Sequence, residues 1–208
     1  MLENLPDFIN NPFKIGTIKE WKSLIKYLTD LLFHEHHEIR CEYVRNIGFP
    51  IITIELIDEL VKFISNKSVV DIGARTGFLS YILANRGVNI TAIDTLIRKY
   101  MGESETPKWY TINQKDAIEE NLDQYEILIL SWPDHDTYFG YKIIKKMNPG
   151  QIIIYQGESW DGCTADDQFH RMLYSDEFEE LQEICLKLDE LHLQFPGIHD
   201  YWQIYMKR

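Results

Sequence analysis

The chain has 208 residues, of which 45% are hydrophobic and 26% charged, a composition that fits one globular domain with a sizeable core. A formal charge of −12 and a pI near 5.0 set it against nucleic acid or any other large polyphosphate, whose binding draws on Lys and Arg. Cys41, Cys163 and Cys185 are too few for a disulfide framework, the first residues lack a signal segment and no apolar run reaches a membrane span, so the cytoplasm is the expected location, with no membrane partner.

In chain order, residues 1–16, with Pro6, Pro12 and Gly16, read as an irregular arm. Thr17 and Glu20 have capping-box spacing, and Trp21, Leu24, Ile25, Leu28, Leu31 and Leu32 then share one helical face. That stripe is expected to pack on its own domain. His34, His37 and Glu38 stand at i, i+3, i+4, a metal-like spacing without an H-E-x-x-H pattern, so the segment reads as the polar end of this helix and no metal is expected. A short helix from Arg40 is ended by Gly48 and Pro50, and Thr53 caps another whose Leu56, Ile57, Leu60, Val61 and Ile64 line one face. Residues 1–50 are therefore assigned to an arm and helical cap, and 51–208 to the main α/β domain.

Ser68–Ile72 reads as a buried strand, followed by a glycine turn, a helix to about Asn85 and a strand ending on Asp94. A polar stretch with Gly102 and Pro107 leads to a short strand near Trp109–Ile112, and Asp116-Ala117 opens a helical segment. Ile127–Leu130 and Ile152–Tyr155 are further buried strands, with Tyr141–Met147 helical between them and stopped by Asn148-Pro149-Gly150. Ala165–Tyr174 reads as a helix, and Phe178–Leu188 and Tyr201–Lys207 as two closing strands with no helix between them, so one of them is antiparallel. Apolar strands alternating with helices imply a mostly parallel sheet covered on both faces.

The turn at Asp71-Ile72-Gly73-Ala74-Arg75-Thr76-Gly77 carries the chemistry. Glycines let backbone approach a ligand, and the helix start beyond presents unpaired N–H groups. Asp94, about 20 positions past the turn and at the carboxyl end of a parallel strand, suits a ribose diol. A dinucleotide turn needs G-x-G-x-x-G, but Arg75 and Phe78 occupy two of its glycine positions, and a P-loop ending is absent. Gly157-Glu158-Ser159-Trp160-Asp161-Gly162 approximates a hydrolase elbow with its second glycine one residue late.

The turn resembles the first motif of class I S-adenosylmethionine (SAM)-dependent methyltransferases, D/E-x-G-x-G-x-G, with Arg75 in place of the central glycine. The resemblance covers about Thr53 to Arg208. It implies a Rossmann-like, mostly parallel seven-stranded sheet with a C-terminal antiparallel hairpin, and SAM as cofactor. By the same resemblance, Asp71, Gly73, Ala74, Arg75 and Gly77 form the cofactor turn, and Asp94 with Thr95 faces the ribose. Asp116 and Ala117 then lie by the adenine amine, Ser131 is a further cofactor-binding residue, and Ser131-Trp132-Pro133-Asp134 forms the catalytic or substrate-facing segment. Gly48-Phe49-Pro50, Trp132-Pro133, Tyr155-Gln156-Gly157-Glu158 and Gly162-Cys163-Thr164-Ala165-Asp166-Asp167 are similar to a narrower, poorly characterised methyltransferase-like group.

The expected activity is methyl transfer to a small-molecule or protein acceptor, with Glu158 or Asp134 taking the acceptor's proton and Trp132 forming a wall. His170 is a further candidate in the same region. The alternative is a catalytically inactive methyltransferase-like binding or interaction module, which Arg75 and the apolar helix at Trp21–Leu32 motivate.

Overall fold

The computed structural model describes residues 6–7, 14–96 and 109–208. Most of the expected arm, and the stretch holding Gly102 and Pro107, lie outside them. Helix α1 (Ile18–Thr29) starts on the capping box: the Glu20 amide donates to the Thr17 hydroxyl at 3.3 Å, and the Thr17 amide to Glu20 Oε2 at 2.7 Å. Its Trp21, Leu24 and Leu28 are buried. The helix stops earlier than its apolar stripe suggests, because α2 (Phe33–Asn46) begins with Leu32 as N-cap and leaves that side chain exposed. His34, His37 and Glu38 are exposed near the start of α2 rather than at the end of α1. Helix α3 (Ile54–Ile64) is capped by Thr53, whose hydroxyl accepts from the Leu56 amide at 3.2 Å.

The α/β part follows as β1 (Val69–Ile72), α4 (Phe78–Ala84), β2 (Ile90–Asp94), β3 (Ile112–Gln114), β4 (Ile127–Ser131), α5 (Phe139–Lys145), β5 (Ile152–Glu158) and α6 (Asp167–Leu173). It ends with β6 (Phe178–Glu180), α7 (Gln182–Leu191) and β7 (Asp200–Lys207). The seven strands are ordered β3-β2-β1-β4-β5-β7-β6. All pairings from β3 across to β5 are parallel, while β7 runs antiparallel to both β5 and β6. This is the Rossmann-like sheet with an antiparallel C-terminal pair that the resemblance implies.

Two expected elements differ. The strand beginning at Phe178 ends after three residues, and α7 occupies most of the stretch that reads as strand. Ile184, Leu186 and Leu188 alternate as in a strand, but Ile184, Cys185 and Leu188 are the residues buried and Leu186 is exposed, which is the helical period. The segment opened by Asp116 makes only a turn. Lys146 Nζ donates to the carbonyls of Ala117, Ile118 and Glu120, the groups a helix would have used for its own bonds.

Alternation along the strands separates two apolar layers. Val69, Ile127, Ile129, Ile152 and Ile154 face a cluster shared with Trp21, Leu28, Tyr43, Leu56 and Leu188. Val70, Ile72, Leu128, Leu130 and Ile153 face another built with Ile143, Ile144 and Phe169. The helices before β1 thus pack into the same core as the sheet. Trp21 is 1% exposed and meets the edges of Tyr43 and Phe195, with ring centroids 5.2 and 5.8 Å away. Trp21→Ala is expected to lower stability by about 3–5 kcal/mol in a single unfolding transition. A separate early transition in denaturant titrations followed by circular dichroism and fluorescence would contradict one shared core.

Candidate active site

The chain leaves β1 toward β2 and β3 on one side and toward β4 and β5 on the other, so a crevice opens beyond the carboxyl ends of β1 and β4. A cavity of about 410 Å³ lies there, a size suited to a small-molecule ligand. Of the residues expected from sequence, Gly73, Arg75, Asp94, Thr95, Ala117, Ser131, Trp132 and Asp134 line it. Asp71 and Ala74 line a smaller cavity of about 100 Å³ that shares Gly73, Arg75, Ser131 and Trp132 as walls. Gly77, Asp116 and Glu158 line neither cavity.

Asp94 ends β2, and its two oxygens take one amide each: Arg75 N–H donates to Oδ2 at 2.7 Å and Leu96 N–H to Oδ1 at 2.6 Å. The carboxylate therefore locks the glycine turn of β1 onto β2. Arg75 sits at φ +49°, a conformation that favours glycine and costs a residue with a side chain of order 1–3 kcal/mol. Its guanidinium turns to the cap: Nη1 donates to the Val44 carbonyl at 2.7 Å, and Cζ lies 5.3 Å from the Phe49 ring centre. Phe49 in turn stacks on Trp132 at 4.7 Å, and the Arg40 guanidinium lies 5.6 Å from the Trp132 ring centre.

The residues outside the larger cavity hold its surroundings. Asp71 is buried and accepts from the Ser80 hydroxyl at 2.7 Å. Burial pushes its carboxyl up to about 6, against the Ser80 bond, and the charge of Asp94 adds to the rise. Gly77 precedes α4 at φ +74°, where a Cβ would come within 3.1 Å of the Tyr110 backbone nitrogen, so it serves the approach of that segment. Asp116 accepts from the Ile118 amide at 2.9 Å and caps its turn.

Glu158 closes a loop. Burial opposes its ionisation, but the Cys163 amide at 2.7 Å, the Cys163 thiol and the His199 amide together hold the carboxyl below its usual range. A Cβ on Gly162 would lie 2.4 Å from Glu158 Cβ, so this tight loop requires glycine there. Burial, then Glu158, pushes the Cys163 thiol at the cavity wall up to about 11, which favours its protonated form at neutral pH. His170 is 2% exposed, and its Nε2 meets the Thr164 carbonyl at 3.1 Å.

Several contributors escape the sequence reading. Phe49 lies inside the Gly48-Phe49-Pro50 run that the resemblance singles out, but Arg40, Lys115 and His135 carry no signal of their own. Gln156 lies inside the Tyr155-Gln156-Gly157-Glu158 run of the resemblance, whereas Asp200 carries no signal and joins the site because β5 and β7 pair side by side.

No protein-family model matches the chain, and no curated protein does. Among solved structures, it is similar to human N-acetylserotonin methyltransferase in complex with SAM, at 12% identity and a TM-score of 0.44, over 73% of this chain and 51% of the other. The chain thus spans about half the length of that enzyme. It is also similar to magnesium protoporphyrin IX methyltransferase from Synechocystis PCC 6803 with bound SAM, at 10% identity and a TM-score of 0.49, over 97% and 94% of the two chains. The N-methyltransferase NodS from Bradyrhizobium japonicum WM9 matches at 11% identity and a TM-score of 0.45, over 73% and 92%.

Two measurements check this geometry. Folded Asp71 holds its proton more tightly than the ordinary value of 3.8, so its contribution to stability is full below about pH 4 and is lost as pH rises through about 6. Relative to Asp71→Asn, the native protein is expected to lose up to about 3 kcal/mol over that window in urea unfolding, and no more above it. A flat difference would contradict the buried carboxyl. Arg75→Ala is expected to cost about 2 kcal/mol through its bond to Val44, whereas Arg75→Gly also relieves the positive φ and should cost about 1 kcal/mol less. An Arg75→Ala protein as stable as the native one would show that Arg75 does not hold the cap, and an Arg75→Gly protein less stable than Arg75→Ala would contradict the strain at φ +49°.

Proposed function

We propose that the chain transfers a methyl group from SAM to a nucleophile on a small molecule or a protein. The observation that carries this reading is the convergence of four strand ends on one cavity, with a carboxylate at the tip of β2 and a glycine turn at the tip of β1. The residues present fit the cofactor. Each Asp94 oxygen accepts one amide, and a carboxylate offers about four acceptor sites, which leaves capacity for a ribose diol. Ile93, Ala117, Leu130 and Phe139 supply apolar surface for a purine. When bound, SAM supplies a sulfonium methyl that is already activated.

The work left to this chain is positioning and proton management. Trp132, stacked on Phe49, forms a rigid wall that holds the acceptor in line and limits water. Asp134 lines the cavity and takes the proton released by the acceptor. Glu158, whose charge is already stabilised by two amides, is a weak base and serves to hold its loop. The acidic balance of the chain suits a neutral or cationic acceptor.

Arg75 favours a second reading, a module that binds without transferring, because it replaces the central glycine of the motif. Titration with SAM and S-adenosylhomocysteine separates absence of binding from binding. Ligand at 100 Kd is expected to stabilise the protein by about 2.7 kcal/mol. Asp94→Asn, which keeps one acceptor oxygen, is expected to weaken S-adenosylhomocysteine about tenfold. No thermal shift at millimolar ligand overturns the enzyme reading. Binding with no methyl released to any of a panel of amines, thiols and hydroxyl compounds favours the module.

A further inference from the structure

Behind Ser131 and Trp132 lies a buried polar chain that the proposed methyl transfer leaves without a role. His192 and Asp200, flanking the turn into β7, have side chains only 4% and 2% exposed, and His192 Nε2 lies 3.1 Å from Asp200 Oδ1. A carboxylate only accepts, so this nitrogen donates. The other oxygen, Oδ2, accepts from Gln156 Nε2 at 2.6 Å and from the Trp132 indole Nε1 at 3.3 Å. Gln156 is 0% exposed, and its Oε1 accepts from the Ser131 hydroxyl at 3.0 Å. Trp132 itself is held at φ +49°, with its amide donating to the Gln156 carbonyl at 2.7 Å. Two groups at the ligand cavity therefore hang on one buried carboxylate.

The carboxylate also sets the direction of the chain. Because Asp200 offers only acceptors, the Gln156 amide must turn its NH₂ toward it and its oxygen toward Ser131. Ser131 then spends its one hydroxyl proton inward and keeps only lone pairs for whatever enters the cavity. We propose that Asp200 is a positioning residue of the crevice: it clamps the Trp132 indole and, through Gln156, makes Ser131 a hydrogen-bond acceptor that selects an N–H group. Ser131 walls both cavities, and in the smaller one it stands with Gly73, Ala74 and Arg75 of the glycine turn, so the group assigned to it is the ammonium at the amino-acid end of the cofactor. This last step rests on the proposed use of SAM; the clamp on Trp132 does not.

Protein labelled with 5-fluorotryptophan gives one fluorine resonance for each of its five tryptophans, and Trp132→Phe identifies the relevant one. Asp200→Leu is expected to move the Trp132 resonance while those of Trp21 and Trp109 stay in place. Asp200→Asn, which keeps an oxygen for the indole, is expected to return it close to its native position. A Trp132 resonance that stays put in a folded Asp200→Leu protein overturns the clamp. If that variant does not fold, Gln156→Leu takes its place for the Ser131 arm alongside Ser131→Ala, and Asp200→Asn must then keep the native Trp132 resonance for the clamp to stand. Ser131→Ala and Gln156→Leu are each expected to weaken S-adenosylhomocysteine about tenfold and to leave 5′-methylthioadenosine, which lacks the amino-acid end, unchanged. Equal losses for both probes, or for neither, overturn the assignment of Ser131. A native protein that binds neither probe overturns the use of SAM alone, since the fluorine signal still reports the clamp.

Discussion

The end of α2 is the constraint on which the rest of the site depends. A helix leaves its last carbonyls without partners, and near the core each needs a donor. Here the donors come from the site itself: Arg75 Nη1 reaches Val44, Trp109 Nε1 reaches Asn46 at 2.6 Å, and the Thr76 hydroxyl reaches Ile47 at 2.7 Å. The turn after β1 and the segment before β3 thus finish the cap, and the cap fixes the turn. Phe49, carried on the chain just beyond α2, is delivered by the same contacts to its place on Trp132. A glycine at position 75 would have given the turn an easier backbone and removed one of these ties.

The crevice also shows how a strongly acidic chain keeps carboxylates in order. Asp71 is pushed toward neutrality by burial, while Glu158 is held ionised by amides that outweigh the same penalty. Asp94 faces the ligand cavity with each oxygen already committed to a backbone amide. Their environments assign these three carboxylates different tasks: one lies buried against Ser80, one closes a loop, and one joins turn to crevice. In the proposed reaction, Asp134 at the cavity wall takes the acceptor's proton.

Much of the fold was legible because it follows from periodicity and capping. The box at Thr17, the cap at Thr53 and the buried runs at Val69–Ile72, Ile127–Ser131 and Ile152–Glu158 are local signals, and local physics is enough to form them. The α7 segment reads as strand because its leucines and isoleucines satisfy both periods, and only packing against the sheet decides which face is buried. The turn at Asp116 escaped for a similar reason, since Lys146 comes from a distant helix end to take its carbonyls. At the cavity, the positions of Asp94 and of the Gly73–Arg75 turn at strand ends are legible in sequence. The path of the Arg75 guanidinium and the chain from His192 through Asp200 to Ser131 are not, because they join residues far apart in the chain.

In the proposed reading, the crevice at the ends of β1, β2 and β4 holds the nucleoside of SAM. A crystal structure of the protein grown with saturating S-adenosylhomocysteine tests it most directly. The expected result is a ribose against Asp94 and an adenine packed between Ile93 and Ala117. A ligand bound elsewhere, or a crevice holding none at millimolar concentration, would contradict it.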